Sequence, residues 1–292
     1  MKEIKDLLIK ENVKMSEYTS YKTGGIAKYF VYPKTTEALQ ELMNFIFKNN
    51  IKYFVIGNGT NIIFTDEYYD GVVINLSKLD QIKIENTIIE VSSGYSLQKL
   101  VSEASKRGLS GLEFASGIPG TVGGATYMNA GAYGACIFEK IKYIQYLENG
   151  EIIKKAKEEI PYGYRYSYFK DNKKAIILSI TIELSHEDKN IILDKIKEYT
   201  QKRIQTQPLE YPNAGSVFKN PETISAGALI DTKLNLKGKS VGGAYVSEKH
   251  ANFIINKNNA TSNDIIKLIE EIKKVAKQKE NIVLQLEQEI IK

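Results

Sequence analysis

Residues 111–134 read GLEFASGIPGTVGGATYMNAGAYG. Glycines recur every few positions, Pro119 stands among them, and Asn129 precedes the last two. Glycine is tolerated where the backbone must take a positive φ or where a ligand approaches the main chain closely. Successive backbone N–H groups in such a segment form a concave nest for an anion, typically a phosphate. The segment is almost free of charge and carries Phe114, Ile118, Val122, Tyr127 and Met128. That composition does not suit a solvated linker, and it predicts a buried loop that faces a ligand.

A second glycine turn supports the same reading. Tyr53-Phe54-Val55-Ile56 is a short apolar run of strand type that enters Gly57-Asn58-Gly59-Thr60-Asn61 directly. A strand that delivers backbone amides into a Gly/Asn turn is a common way to build a phosphate site. The third glycine of a Rossmann fingerprint is missing, because Ile62 stands there, and Ile62-Ile63-Phe64-Thr65 does not open a helix. No Gly-Lys-Ser or Gly-Lys-Thr follows either cluster, so Walker A is absent too. Any nucleotide is therefore held by another fold.

At 292 residues, with 42% hydrophobic and 26% charged residues, the chain is a globular protein with room for two or three domains. No apolar run reaches the ~18 residues of a membrane span, and the charged start Met1-Lys2-Glu3-Ile4-Lys5-Asp6 lacks the apolar core of a signal peptide. A cytoplasmic location is expected. Cys136 alone allows no internal disulfide, and with only His186 and His250 it leaves no zinc set. The net charge of +5 is spread and mixed with Glu, without the basic stripe of a nucleic-acid binder, and it suits a cleft for an anionic small molecule.

Helix and strand signals alternate irregularly, which predicts an α+β protein. Residues 36–48 carry Leu39, Leu42, Met43 and Ile46 on one face, with Thr35 or Thr36 as N-cap. Ser96 caps a second helix that ends at Gly108. A third spans 190–203 with Ile192, Ile196 and Tyr199, and the last spans 262–279 behind a Thr261/Asp264 capping box. Strands are expected at 72–74, 88–91 and 175–184, with a hairpin over 143–153 turning at Asn149-Gly150. Boundaries near residues 69–71 and 205–208 divide the chain into 1–70, 71–205 and 206–292.

Three further segments carry chemistry. Tyr162-Gly163-Tyr164-Arg165-Tyr166-Ser167-Tyr168-Phe169 packs aromatics around one arginine, whose planar fork suits a carboxylate or phosphate and which could equally stack on its tyrosines. In Asn213-Ala214-Gly215-Ser216-Val217-Phe218-Lys219-Asn220-Pro221 a hydroxyl, a lysine and an amide lie within five residues. The elbow G-x-S-x-G is not met, and without a suitable histidine Ser216 is better placed to donate a proton than to attack. In Leu284-Gln285-Leu286-Glu287-Gln288-Glu289-Ile290, Glu287 and Glu289 share one face of an extended chain, so that a buried one could serve as an acid or position one.

Together these motifs resemble the UDP-N-acetylenolpyruvoylglucosamine reductase (MurB) family of peptidoglycan synthesis. The likeness runs in the family's order from Tyr18-Thr19-Ser20-Tyr21-Lys22-Thr23-Gly24-Gly25 to Leu286-Glu287-Gln288-Glu289-Ile290, passing also through Ala251-Asn252-Phe253-Ile254-Ile255-Asn256, and covers nearly the whole chain. It implies an FAD-binding module of two α+β subdomains of the vanillyl-alcohol-oxidase-like flavin fold (1–70 and 71–205), followed by an α+β substrate domain (206–292). FAD is expected to be non-covalent, at Gly57, Asn58, Gly59, Thr60 and Asn61 and at Gly117, Ile118, Pro119, Gly120, Thr121, Gly123, Gly124 and Ala125, with Asn129 and Gly131 beyond. NADPH reduces the flavin and leaves, and the enolpyruvyl ether of UDP-N-acetylglucosamine then accepts hydride from N5 at C3, giving UDP-N-acetylmuramate for cell-wall synthesis, cell shape and division.

By the same resemblance Ser216 matches the proton donor to C2, and Arg165 with a C-terminal glutamate matches the pair that polarises the enolpyruvyl carboxylate. The family pattern favours Glu289 over Glu287 for that role. Tyr164, Asn213, Lys219 and Asn220 match substrate contacts. The length and the short 208–216 stretch place the chain in the family's shorter class, which lacks an inserted tyrosine loop over the substrate. The alternative is another FAD oxidoreductase of the same fold acting on a hydroxy acid or alcohol, which would not need the 214–221 segment.

Overall fold

The computed structural model describes residues 1–292. Its chain forms two compact units. The first comprises Met1–Glu11, Tyr29–Asn58 and Asp70–Lys202, and the second Asn12–Lys28, Gly59–Tyr69 and Arg203–Lys292. The chain passes between the units after Glu11, Lys28, Asn58, Tyr69 and Lys202, the last within the helix Lys189–Thr206, so these units are not the consecutive segments 1–70, 71–205 and 206–292. What the sequence does not show is that 12–28 and 59–69 belong with the C-terminal residues.

The first unit holds two separate cores. In one, the helix Thr36–Lys48 buries Leu39, Leu42, Met43 and Ile46 with Val31, Val72 and Ile74. Thr35 is the N-cap, its side chain accepting from the Ala38 N–H at 3.1 Å. Each fully buried Leu or Ile contributes about 1.5–3 kcal/mol. The associated sheet runs Leu7–Lys14, Ile26–Pro33, Tyr69–Asn75, Tyr53–Ile56, the last two parallel. Around the other core lies an antiparallel sheet in the order Glu151–Ala156, Ile141–Glu148, Ile176–Glu183, Ile88–Ser92, Ile82–Glu85. Its hairpin turns at Asn149 and Gly150, with φ of 51° and 84°, as a type I′ turn requires.

Two segments differ from expectation. Residues 111–134 are not one loop, because Val122–Tyr127 forms a short helix with Thr121 as N-cap. Two glycines at its start depress helix propensity and hide it in the sequence. The turn forms because the Thr121 side chain accepts from the Gly124 N–H at 3.2 Å and the Gly123 N–H donates to the Ser93 carbonyl at 2.8 Å. The helix Lys189–Thr206 buries only Ile192, and Tyr199 lies stacked on Tyr133 with ring centroids 4.2 Å apart.

In the second unit the helix Ser262–Glu280 packs Ile265, Leu268, Ile269 and Ile272 against Tyr21, Ile63, Val217 and Phe218. The capping box is present, Thr261 accepting from Asp264 N–H and Asp264 from Thr261 N–H. A three-stranded sheet (Ser240–Val241, Ala244–Val246, Ile254–Asn256) flanks it, and Glu289–Ile291 pairs in parallel with Ile62–Phe64. No helix is long and apolar enough to cross a membrane.

Candidate functional site

The strand Tyr53–Ile56 delivers Gly57, whose carbonyl accepts from the buried Asn75 amide at 3.0 Å. A Cβ on Gly57 would lie 2.7 Å from Thr121 Oγ1. The two glycine-rich segments therefore meet at Gly57 and Thr121, 64 residues apart in the chain. Gly59 has a φ of 64°, and a Cβ there would stand 2.1 Å from the Tyr18 carbonyl oxygen, so only glycine fits. Its own carbonyl accepts from the Ser20 N–H at 3.0 Å. Asn58, Pro119 and Gly124 are exposed, whereas Gly59, Thr121 and Ala125 are buried and Gly57, Thr60, Asn61, Gly117, Ile118, Gly120 and Gly123 are half-buried.

Four buried hydroxyls are without a hydrogen-bond partner: in the first unit Ser93 and Ser116 beside the 117–124 segment, and in the second Ser20, whose N–H meets the Gly59 carbonyl, and Thr23. Buried polar groups are nearly always paired in native proteins, so the orphan hydroxyls of Ser93 and Ser116 beside the 117–124 segment of the first unit fit a polar, phosphate-bearing ligand such as FAD. None of the four stands out in the sequence, where an isolated Ser or Thr carries no signal.

Arg165 sits at the tip of a two-stranded hairpin, Tyr162–Gly163 with Tyr166–Ser167, in a left-handed conformation with φ 54°. Three hydrogen bonds dock this hairpin on residues 127–131. Arg165 Nη2 donates to the Gly131 carbonyl at 2.8 Å, the Asn129 amide to the Gly163 carbonyl at 2.8 Å, and Ser167 Oγ to the Tyr127 carbonyl at 2.6 Å. The stacking expected of the arginine is present, its guanidinium lying 5.0 Å from the centre of the exposed Tyr164 ring, while its fork here meets a backbone carbonyl. Asn129 is buried at a φ of 42°, and its Oδ1 accepts from the Phe138 N–H at 3.3 Å. Its side chain is thus committed to holding the arginine's hairpin.

Ser216 is half-buried in a segment without regular structure that the side chains of Asn252, Gln288 and Asn213 hold. Asn252, itself buried, accepts from the Val217 and Phe218 N–H groups through its carbonyl and Oδ1, and donates from Nδ2 to the Phe218 carbonyl. Gln288 holds the preceding carbonyls. Asn213 makes the turn itself, donating to the Pro208 and Tyr211 carbonyls and accepting from the Gly215 N–H. Asn220 Oδ1 accepts from the Ala226 N–H at 3.0 Å. The half-buried Lys219 is fixed through its backbone to the Gln285 carbonyl. His250 accepts the Asn252 N–H on Nδ1 at 3.2 Å, and burial pushes its pKa below the ordinary histidine value.

Glu287 and Glu289 are both half-buried and flank the buried Gln288. The Glu287 N–H donates to the Val217 carbonyl at 2.9 Å, which ties the carboxylate strand to the Ser216 segment. Asn61, at the end of the glycine turn, donates to the Glu287 carbonyl and accepts from the Glu289 N–H at 3.1 Å. The second unit therefore brings Asn61, Ser216, Glu287 and Glu289 together. Tyr21, Asn252, Asn256 and Gln288, which hold this cluster, lie inside the segments 18–25, 251–256 and 286–290 that carry the likeness, but nothing in the sequence assigns them this task.

Residues 27–156, which hold the turn at Gly57 and the 117–124 segment, match the family model described as FAD binding domain, and the chain is an FAD-binding protein. Residues 207–291 match that of the UDP-N-acetylenolpyruvoylglucosamine reductase, C-terminal domain. The chain is similar to the UDP-N-acetylenolpyruvoylglucosamine reductase of Anoxybacillus flavithermus, 44% identical over 97% of this chain and 94% of that one. It is similar also to that of Clostridium tetani, 44% identical over 97% and 92%. Among solved structures it resembles the crystal structure of UDP-N-acetylenolpyruvylglucosamine reductase (MurB) from Thermus caldophilus, with a TM-score of 0.85, 32% identity, and 98% and 100% coverage. The chain belongs to the UDP-N-acetylenolpyruvoylglucosamine reductase family.

Proposed function

We propose that the protein reduces the enolpyruvyl ether of UDP-N-acetylglucosamine to UDP-N-acetylmuramate, with NADPH as reductant, in the cytoplasm. The observation that carries this reading is the pairing, along one chain, of an FAD-binding domain over 27–156 and the reductase C-terminal domain over 207–291. The segment 214–221, which the alternative of a hydroxy-acid or alcohol oxidoreductase would not need, lies inside the second match. On this reading 1–70 and 71–205 serve as the two flavin subdomains and 206–292 as the substrate domain, a division by role that the packing crosses, since the core around Leu39 and Leu42 also takes in Val72, Leu147 and Ile176.

Bound FAD supplies the two-electron chemistry that couples NADPH oxidation to substrate reduction. The segments 57–61 and 117–125, joined by the hydroxyls of Ser93 and Ser116, hold it. Asn129 and Gly131 serve by carrying the Arg165 hairpin beside that segment. Ser216 gives its proton to C2. Arg165 and Glu289 stabilise the charge that develops on the substrate carboxylate, an effect worth about 2.7–4 kcal/mol of barrier for one such donor. Tyr164 and Lys219 contact the substrate, and Asn213 and Asn220 shape the segment around it.

The decisive experiment separates the half-reactions. Ser216→Ala leaves bleaching of the flavin by NADPH nearly intact and slows reoxidation by the enolpyruvyl substrate by about 10²–10⁴, and Cys at 216 restores part of the rate. Equal losses in both halves would refute the proton-donor role. Arg165→Lys, which keeps the charge but loses the planar fork, and Glu289→Gln both impair the second half-reaction, while Glu287→Gln leaves it nearly unchanged. A crippled Glu287→Gln would move the role to that residue.

A further inference from the structure

On the reading above, the reaction depends on where Ser216 holds its hydroxyl. The two peptide groups that flank its Cα are both fixed. On one side the Val217 N–H donates to the Asn252 carbonyl at 2.9 Å. On the other, Gln288 Nε2 donates to the Gly215 carbonyl at 3.2 Å and to the Ala214 carbonyl at 3.1 Å. Gly215 itself has a φ of 75°, a conformation with no side chain to hold it in place. With both peptide planes set, side-chain torsion is the main freedom left to Ser216.

The carboxamide of Gln288 is 3% exposed and matched to this task. Two carbonyl oxygens accept only, so its NH₂ must face them, which fixes which way the amide points. Its Oε1 accepts from the phenol of Tyr21 at 3.1 Å. Tyr21 is wholly buried, burial holds its pKa far above the ordinary tyrosine value, and it therefore remains a donor. Its own backbone carbonyl accepts from Asn256 Nδ2 at 2.9 Å. Every hydrogen-bonding direction of the Gln288 carboxamide but one lone pair is thus satisfied by groups that leave it a single orientation.

We propose that Gln288 is the positioning residue that aims Ser216 at the substrate, and that Tyr21 acts through Gln288 by fixing its carboxamide. Because Gln288 lies between Glu287 and Glu289, the same three residues set both the proton donor's segment and the candidate carboxylate's strand. A donor displaced by about 1 Å from its productive geometry costs up to about 10²-fold in rate.

The test uses the full-length, FAD-loaded chain and measures the two half-reactions by flavin absorbance in rapid mixing. Gln288→Leu keeps the NADPH half-reaction within about twofold and slows reoxidation by the enolpyruvyl substrate about 10- to 100-fold. Tyr21→Phe slows the same half-reaction to a smaller extent, and the double variant is no slower than Gln288→Leu alone, as expected of two residues acting in one unit. In Gln288→Glu, a protonated carboxyl still donates to one carbonyl, whereas the ionised one repels both. Its substrate half-reaction therefore falls relative to wild type as pH rises and the buried carboxyl, its pKa raised by burial, ionises, the phenol of Tyr21 and the carboxylates of Glu287 and Glu289 being the neighbouring ionisable groups. Amide exchange of residues 213–218 rises in Gln288→Leu.

An unchanged substrate half-reaction in Gln288→Leu, or equal slowing of both halves, overturns the proposal. If Gln288→Leu does not fold, Tyr21→Phe decides, and an unaltered substrate half-reaction there overturns it equally. Wild-type enzyme that is bleached by NADPH but never reoxidised by the enolpyruvyl substrate would instead sink the functional reading, an outcome visible before any variant is made.

Discussion

Asn129 is the residue through which the arginine hairpin is anchored, and its replacement separates two costs. Asn129→Ala removes a donor to the Gly163 carbonyl at 2.8 Å and an acceptor for the Phe138 N–H at 3.3 Å. Phe138 is fully buried, so its N–H is left without water, while the half-buried Gly163 carbonyl recovers some hydration. A stranded buried group costs about 1–3 kcal/mol and a lost hydrogen bond about 0.5–1.5, which together give about 2–4 kcal/mol. Alanine at a φ of 42° adds about 1 kcal/mol of backbone strain, which Asn129→Gly avoids. The expected losses are therefore about 3–5 kcal/mol for alanine and about 2–4 for glycine, with a gap near 1. With no tryptophan in the chain, urea unfolding is followed by far-UV circular dichroism, at one saturating FAD concentration for all variants because cofactor binding shifts apparent stability. Both variants also slow the substrate half-reaction about tenfold, since the Arg165 hairpin loses one of its three ties. Glycine no more stable than alanine would remove the strain argument. Losses below about 0.5 kcal/mol in both variants would show that the amide does not anchor the hairpin.

Gly59→Ala places a methyl 2.1 Å from the Tyr18 carbonyl in a left-handed turn, and is expected to lower FAD affinity and thermal stability together in a flavin titration and a thermal melt; a neutral result would mean the turn can shift. FAD is released by mild denaturation, and flavin that stays with the acid-precipitated chain would overturn the non-covalent expectation. Thr261→Ala removes the cap of the helix Ser262–Glu280 and costs about 1 kcal/mol in the same urea assay. Burial holds His250 below its ordinary pKa of 6.5, so the unfolded chain binds the proton more tightly; stability from this group is present in full above that value and is lost as pH falls through the lower folded pKa. His250→Gln should flatten the acid side of a stability–pH curve, and an unchanged curve would assign that slope to other groups.

Much of the secondary structure follows from residues a few positions apart. The Thr261/Asp264 box, the Ser96 cap and the Asn149-Gly150 turn are set by local hydrogen bonds and backbone preference, which is why the amino-acid pattern predicts them to within a residue or two. The ordered motifs likewise carry the family likeness without reference to contacts. The short helix Val122–Tyr127 is different, because its glycines oppose it and Thr121, Ser93 and Tyr95 hold its first turn.

The same division runs through the site. Ser216, Arg165 and Glu289 are legible as chemical groups in the sequence, but what fixes them is not. Gln288 reaches the Ala214 carbonyl across 74 residues, Asn129 reaches Gly163 across 34, and Tyr21 reaches Gln288 across 267. Alternation along 287–289 says that the glutamates face away from Gln288, and says nothing of which face is buried. That is decided by the core into which Tyr21, Val217 and Phe218 pack. A buried carboxamide must find donors and acceptors, and only the folded chain supplies them.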